Sequence, residues 1–366
     1  MKILVIYATA GAGHKKAAEA VHEALQGSAE FQPSLVDLLD HTRPGYKDFY
    51  SGSYTYLVTH APWAWSLMFG MSDHPWLMPF VNAGRAVVNH FNAGRLERFL
   101  QQGQFDAIVS THFFSNEVAC RLKRRGLVRS RIVSVVTDFD VHRIWLAKGI
   151  DAYAVASDWT KAKIIGLGVP EDKVVVTGIP TAGKFSAPRD VGALKRKFGL
   201  IENLSTVLLA TGSFGIGPIE EIIRSLQGIQ ALVVCGHNKV LYERLKAQEK
   251  GLVKIFGLVN NMDELMAVSD VMVTKPGGLS ISEALVTGLP MIFFNAIPGQ
   301  ETNNIRVLRE HGIGLEGQSV QDIKRWIEQL SSSPQELRAA KERTKVLARP
   351  SAARDIVALL TRSPAG

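Results

Sequence analysis

The chain has 366 residues, 46% hydrophobic and 21% charged, which is globular composition with length enough for two domains. Its 42 Lys and Arg against 34 Asp and Glu leave a net charge of +8, which suits an anionic partner (nucleic acid, anionic lipid or a phosphorylated substrate) without choosing among them. No run of about 18 apolar residues escapes interruption, which argues against a transmembrane helix. The two cysteines, Cys120 and Cys235, lie far apart in apolar surroundings; they offer no zinc site and suit a reducing compartment.

The opening "MKILVIYATAGAGH" reads as a short strand running into a glycine turn, not as a signal peptide. Gly11 and Gly13 bring that turn close to a ligand, and a helix begins near His14. A dinucleotide fingerprint needs a third glycine at Lys16, which is absent, although Asp37 ends the second strand where a ribose-binding acid belongs. His14 is the notable group. A helix N-terminus disfavours the imidazolium, so the expectation is a neutral imidazole able to act as a base. Further strands are predicted over 33–39, 105–111, 131–137, 152–157 and 173–178, apolar on both sides as in a parallel sheet.

Residues 44–99 break this rhythm. Trp63, Trp65, Phe69, Met71, Trp76, Met78 and Phe80 crowd together near Lys47, Arg85 and Arg95. Two readings stand: a helical hairpin packing its own aromatics, or an interfacial surface whose Trp and Phe enter lipid headgroups. His112, in "STHFFSNE", sits at another strand end and either touches a substrate or is structural.

A hinge is expected in "GIPTAGKFSAPRD" (178–190), and a second strand series follows at 205–212, 231–236, 253–259, 270–275 and 290–294. Two such series imply two doubly wound α/β domains, 1–183 and 184–345, followed by a tail, 346–366, with an amphipathic helix presenting Ile356, Val357, Leu359 and Leu360. In "LLATGSFGIGPIEEII", Gly212, Ser213, Phe214, Gly215 and Gly217 form a turn that can cradle phosphate, without the GK[ST] of a P-loop. In "TKPGGLSISEALVTGLP", Gly277 and Gly278 let backbone approach a diphosphate, Ser280 and Ser282 offer hydroxyls, and Glu283 stands about a turn further in. A carboxylate is wrong for phosphate but right for a ribose diol. Basic residues look scattered, and no nucleic-acid partner is expected.

The stretch "TKPGGLSISEALVTGLPMIFFNAIPGQETNN" resembles the donor-sugar signature of two-domain GT-B glycosyltransferases of the family 28 type. More narrowly, "PGQE", "ATAGAGH" and "VVTDFDVHRIW" are similar to the monogalactosyldiacylglycerol synthases and the bacterial processive diacylglycerol glucosyltransferases. The family usually has three glycines before the His, and Ala12 replaces the middle one. The resemblance implies two Rossmann-like domains facing across a cleft, with the last helix crossing back to the first. It implies that Glu283 binds the ribose of a uridine diphosphate and that backbone around Val259 and Met262 holds the uracil. Gly212, Ser213 and Phe214, with Gly277, Gly278 and Ser280, would line the diphosphate, and Gln300 and Glu301 would face the hexose. His14 would be the general base, with Asp138 orienting it or serving instead. Gly13, His112, Trp63, Trp65, Phe69 and Trp145 would serve the lipid acceptor and the membrane.

The reaction implied is inverting transfer of glucose or galactose from UDP-glucose or UDP-galactose to diacylglycerol. It would run on an anionic phospholipid surface, by a protein attached peripherally to the cytoplasmic face of the membrane. No cofactor is implied. Asp138 and Asp140 form a D-x-D like the metal-holding pair of one-domain glycosyltransferases, but the donor signature lies in the other half, so no obligatory metal is expected. The alternatives are a polyprenyl-diphosphate-linked sugar acceptor and a UDP-sugar epimerase.

Overall fold

The computed structural model describes residues 1–361 apart from 10, 75, 78–83, 85–91, 211, 213–216 and 227. By its contacts the chain forms two compact units. One is Met1–Ala182 with Ile297–Gln300 and Ser351–Gly366; the other is Gly183–Ala296 with Glu301–Pro350. The return of the C-terminal helix to the first unit is the one the family resemblance implied; that four residues of the "PGQE" region also join it was not expected from the sequence.

The first unit is built on six parallel strands: β1 (Lys2–Tyr7), β2 (Gln32–Asp37), β3 (Ala107–Ser110), β4 (Arg131–Val135), β5 (Ala152–Val155) and β6 (Val174–Val176), in the order β2-β1-β3-β4-β5-β6. Its helices are α1 (Ala12–Gln26), α2 (Tyr46–His60), α3 (Pro62–Asp73), α4 (Gly94–Gly103), α5 (Phe113–Arg124) and α6 (Asp158–Gly166). Alternation along β1 divides the core. Ile3 and Val5 face Ala18, Val21 and Leu25 of α1, whereas Leu4 and Ile6 share a cluster with Leu96, Leu100 and Val118 of α4 and α5. Helices therefore cover both faces, which is why the strands read as continuous apolar runs.

The second unit repeats the plan with β7 (Thr206–Ala210), β8 (Gln230–Val234), β9 (Val253–Phe256), β10 (Val271–Thr274), β11 (Met291–Phe293) and β12 (Leu315–Glu316), in the order β12-β11-β10-β7-β8-β9. The helices are α7 (Val191–Lys197), α8 (Ile219–Ser225), α9 (Lys239–Lys246), α10 (Met262–Ala267), α11 (Gly278–Thr287), α12 (Gln300–Glu310), α13 (Val320–Ser332) and α14 (Pro334–Thr344).

Strand order reverses once in each sheet: between β1 and β3 in the first, between β7 and β10 in the second. At such a switch point the flanking connections leave to opposite faces and the carboxyl ends of the strands stay uncovered, where ligands of open α/β sheets bind. The last helix, α15 (Ala352–Thr361), packs Ile356, Leu359 and Leu360 into the α1 side of the first core. Ile356 is fully buried, so Ile356→Ala should destabilise the first unit by about 2–4 kcal/mol, seen as a lower denaturant midpoint with an unchanged slope. An unshifted midpoint would mean that α15 adds nothing to the core.

Candidate functional residues at two switch points

At the first switch point the turn after β1 is set by Gly11, whose φ of 109° excludes other residues without strain. Ala12 opens α1 with ordinary helical geometry, so the missing middle glycine costs nothing. Gly13 and His14 fall in the first turn of α1, and the Thr111 hydroxyl donates to the His14 carbonyl at 3.0 Å, tying that turn to the end of β3.

The His14 ring is enclosed by other side chains while keeping some contact with solvent. His112 meets it edge to face at 5.0 Å, Trp145 lies at 6.1 Å, and the Thr137 hydroxyl is 3.1 Å from Nδ1. Burial drives the His14 pKa down to about 4, against a smaller upward effect of a hydrogen bond with the Thr111 backbone. The expected neutrality is present, but its main cause is loss of water around the ring, not the helix end. No carboxylate contributes to that shift.

Asp138 departs from its expected role as orienter of His14. It accepts from Gln300 Nε2 at 2.9 Å, and the group at His14 Nδ1 is the Thr137 hydroxyl. The expected hexose contact of Gln300 is modified by the same bond, since its amide already serves Asp138. His112 is 1% exposed; its Nδ1 accepts from Phe114 N at 3.3 Å to cap α5, and its Nε2 lies 3.4 Å from the Tyr50 hydroxyl. That favours the structural reading over substrate contact. Asp37 is also occupied: it accepts from Thr9 Oγ1 at 2.6 Å and Leu39 N at 3.1 Å, with Lys47 at 2.9 Å. Burial opposes its charge, but these partners outweigh it and lower the pKa.

The aromatic insert divides by face. On α3, Trp63, Leu67 and Met71 recur every fourth residue and are exposed, Trp63 by 73%; on α2, Phe49 and Tyr56 are exposed as well. Phe69 points the other way, packing on Trp65 at 6.2 Å and on His142 at 4.5 Å. It also lies against Gly299, where any Cβ would come within 2.8 Å of its ring. Trp65 is half-buried and Trp145 only 5% exposed, so neither projects as Trp63 does. Met78, Phe80 and Arg85 lie outside the described residues. Lys47, expected beside lipid headgroups, is held by Asp37 and by Asp40 at 2.6 Å.

His142 was missed as a site-building residue. Its Nδ1 caps the following turn through Ile144 N at 3.0 Å, and its Nε2 reaches Phe69 O at 3.1 Å and Ser72 Oγ at 3.2 Å. With Arg143 N donating to Asp73 at 2.9 Å, it clamps α3 to the loop after β4. The sequence signal was a His two residues after the second aspartate of "TDFDVH". Among the described residues no group of three or more His, Cys, Asp or Glu is arranged to hold a metal, and Asp140 is held by Lys163 at 2.7 and 2.8 Å.

In the second unit, Thr274 ends β10 beside Ala210 of β7, so the turn after β10 and the Gly212 turn share the switch point. Ser213 and Phe214 lie outside the described residues. Gly277 caps α11 with φ −73°, so its glycine is not needed for backbone freedom; an added Cβ would meet only Glu301 Oε1, at 3.9 Å. Gly278 opens α11 and is buried, while Ser280 and Glu283 are half-buried. Ser282, one of the two expected hydroxyl donors, donates to the Gly278 carbonyl at 2.9 Å. Glu301 is 9% exposed, and Asn304, one turn further along α12, donates to the Pro276 carbonyl at 3.0 Å. Val259 and Met262 flank the turn after β9, two strands beyond β7 along the same carboxyl edge.

Comparison with known proteins follows this division. The model of the monogalactosyldiacylglycerol (MGDG) synthase family matches residues 14–181, and that of the glycosyltransferase family 28 C-terminal domain matches residues 206–359. A processive diacylglycerol beta-glucosyltransferase of Bacillus cereus (strain ATCC 10987 / NRS 248) is 29% identical over 367 residues, covering 97% of this chain and 92% of that protein. Among solved structures, Acinetobacter baumannii MurG matches with a TM-score of 0.64 at 16% identity over 99% of both chains. Anabaena Alr3699/HepE in complex with UDP-glucose matches with a TM-score of 0.59 at 15% identity, again over 99% of both. These two establish the shared GT-B fold.

The His14 ring gives a direct check. Its NMR resonances should titrate near pH 4, not near 6.5. Because the folded value lies below the unfolded one, His14 should subtract stability as pH falls from 6.5 towards 4 and leave stability unaffected above that window. Titration near 6.5 would mean that the ring is not desolvated.

Proposed function

We propose, from the match of residues 14–181 to the MGDG synthase family and of residues 206–359 to the family 28 C-terminal domain, that the chain moves glucose or galactose from a UDP-sugar to the free hydroxyl of diacylglycerol at a membrane surface. The observation that carries this reading is the neutral, enclosed His14 at the first switch point, in the same unit as a helical hairpin with an outward apolar face. The name of the Bacillus cereus relative supports the acceptor and glucose as one of the two candidate sugars.

In this mechanism the acceptor oxygen attacks the anomeric carbon from the face opposite the diphosphate. The bond to UDP breaks, the configuration inverts, and His14 takes the hydroxyl proton. Thr137 and the Thr111 backbone fix the ring, with no carboxylate needed to raise its basicity. UDP leaves with its charge developing beside the turn of Gly212 and the opening of α11 at Gly277, Gly278 and Ser280. Glu283 accepts from the ribose hydroxyls, backbone near Val259 and Met262 holds the uracil, and Glu301 reads the hexose. No step calls for a metal.

At the membrane, Trp63, Leu67 and Met71 enter the interface while Phe69 and His142 hold α3 in place. No helix among the described residues is long and apolar enough to cross a bilayer. The net charge of +8 favours an anionic surface.

The test is transfer of label from UDP-glucose or UDP-galactose into an organic-soluble product, with diacylglycerol in phosphatidylglycerol vesicles. One donor should yield labelled glycolipid, and Glu283→Ala should lower kcat/KM by roughly 30-fold. No lipid product from either donor, while UDP still binds, would overturn the diacylglycerol reading. A Trp63→Glu, Leu67→Glu double variant should reduce transfer on vesicles by about tenfold or more and leave UDP affinity unchanged. Unchanged transfer would remove the α3 face from the membrane contact.

A further inference from the structure

Val259 and Met262, whose backbone is given above to the uracil, flank the turn between β9 and α10. A side chain 76 residues away in sequence reaches into this turn: Lys184 Nζ donates to the Asn260 carbonyl at 2.5 Å. The same ammonium pairs with Asp263 Oδ1 at 2.9 Å. Asp263, the second residue of α10, is only 5% exposed, and its other oxygen pairs with Arg189. Arg189 in turn donates to the Lys184 carbonyl at 2.8 Å, which closes the group on itself.

Lys184 and Arg189 lie in the segment that opens the second unit at Gly183. Its 3-10 turn, Gly183–Phe185, also packs against α11, the helix that carries Glu283. Further on, Lys197 at the end of α7 pairs with Glu264 of α10 at 2.6 Å, and Asn261 Nδ2 donates to that same carboxylate at 2.9 Å. The opening segment is thus fastened to both elements given to the nucleoside, the turn for the base and the helix for the ribose. Stability alone is a poor reason for such a group, because an enclosed carboxylate and its cations lose hydration about as much as they gain by pairing. What the group supplies is geometry. The Asn260 carbonyl shares a peptide plane with Asn261 N–H, so a cation on that oxygen sets the orientation of the plane and occupies one acceptor of the turn.

We propose that Lys184 and Asp263 are positioning residues for nucleoside recognition: backed by Arg189, they hold the 259–262 turn in the shape that receives uracil. Neither touches the base. Lys184 acts through the Asn260 peptide, and Asp263 acts through Lys184. The proposal rests on the UDP-sugar reading given above and names what shapes its base subsite.

Calorimetric binding of uridine and of UDP, with hydrogen exchange at the 259–262 amides, tests this. In the wild type, uridine should slow exchange in that turn. Lys184 is exposed along much of its length, so Lys184→Met keeps the stem and removes the charge without opening the core. It should weaken uridine and UDP by the same factor, roughly three- to tenfold, and speed exchange at 259–262 before any ligand is added. Lys184→Arg should restore the affinity. Asp263→Asn should weaken both ligands as well, and adding Lys184→Met to it should change little more, because the two act through one contact. If Asp263→Asn does not fold, the Met and Arg variants of Lys184 decide. A lower denaturant midpoint with unchanged uridine affinity in Lys184→Met would make the contacts purely structural and overturn the proposal. Uridine that binds the wild type without protecting the turn would overturn the base subsite, and wild-type protein that binds neither ligand would overturn the donor reading itself.

Discussion

A doubly wound parallel sheet has one place where consecutive connections part to opposite faces, and everything proposed for this chain hangs on that constraint. In the first sheet it lies between β1 and β3, and in the second between β7 and β10. The first turn of α1, with His14, stands beside the first switch point, and the turn between β10 and α11 stands beside the second.

Burial then sets the chemistry. An imidazole paired with a carboxylate is held protonated to higher pH, whereas His14 meets threonine oxygens and aromatic rings and is held neutral. Threonine can orient a ring without adding charge to it. The same region carries the clamp that fixes α3. His142 holds the Phe69 carbonyl, and Phe69 lies on Gly299, so the helix bearing the exposed Trp63 is joined through side chains to the segment that bonds Asp138. A residue larger than glycine at 299 would push that helix away.

What the sequence made legible was local. Runs such as "KILVIY" and "STVLLA" were recognisable as buried strands because both faces are apolar, and the order of strands and helices announced two α/β domains. The two-residue strand β12 (Leu315–Glu316) was too short to carry a pattern. The spacing of Trp63, Leu67 and Met71 was present in the sequence, but which face met water depended on Phe69 finding His142, far along the chain. The pairing of Thr137 with His14 spans 123 residues, and that of Gln300 with Asp138 spans 162. No local signal encodes such partners, and an adjacent Asp drew attention that belonged to a Thr. The cluster Arg121, Lys123, Arg124, Arg125, Arg129 and Arg131 also shows that the basic charge is less scattered than its spread along the chain implies. Arg121 and Lys123 pair with Glu97 and Asp151, which makes part of it structural.

The central claim is a single displacement assisted by a neutral base. The measurement that addresses it is the anomeric configuration of the first glycolipid product, read by proton NMR after transfer from the α-linked UDP-sugar. A β-linked product is predicted, since one attack opposite the diphosphate inverts the centre. An α-linked product would require retention through a different course, and would contradict the role given to His14.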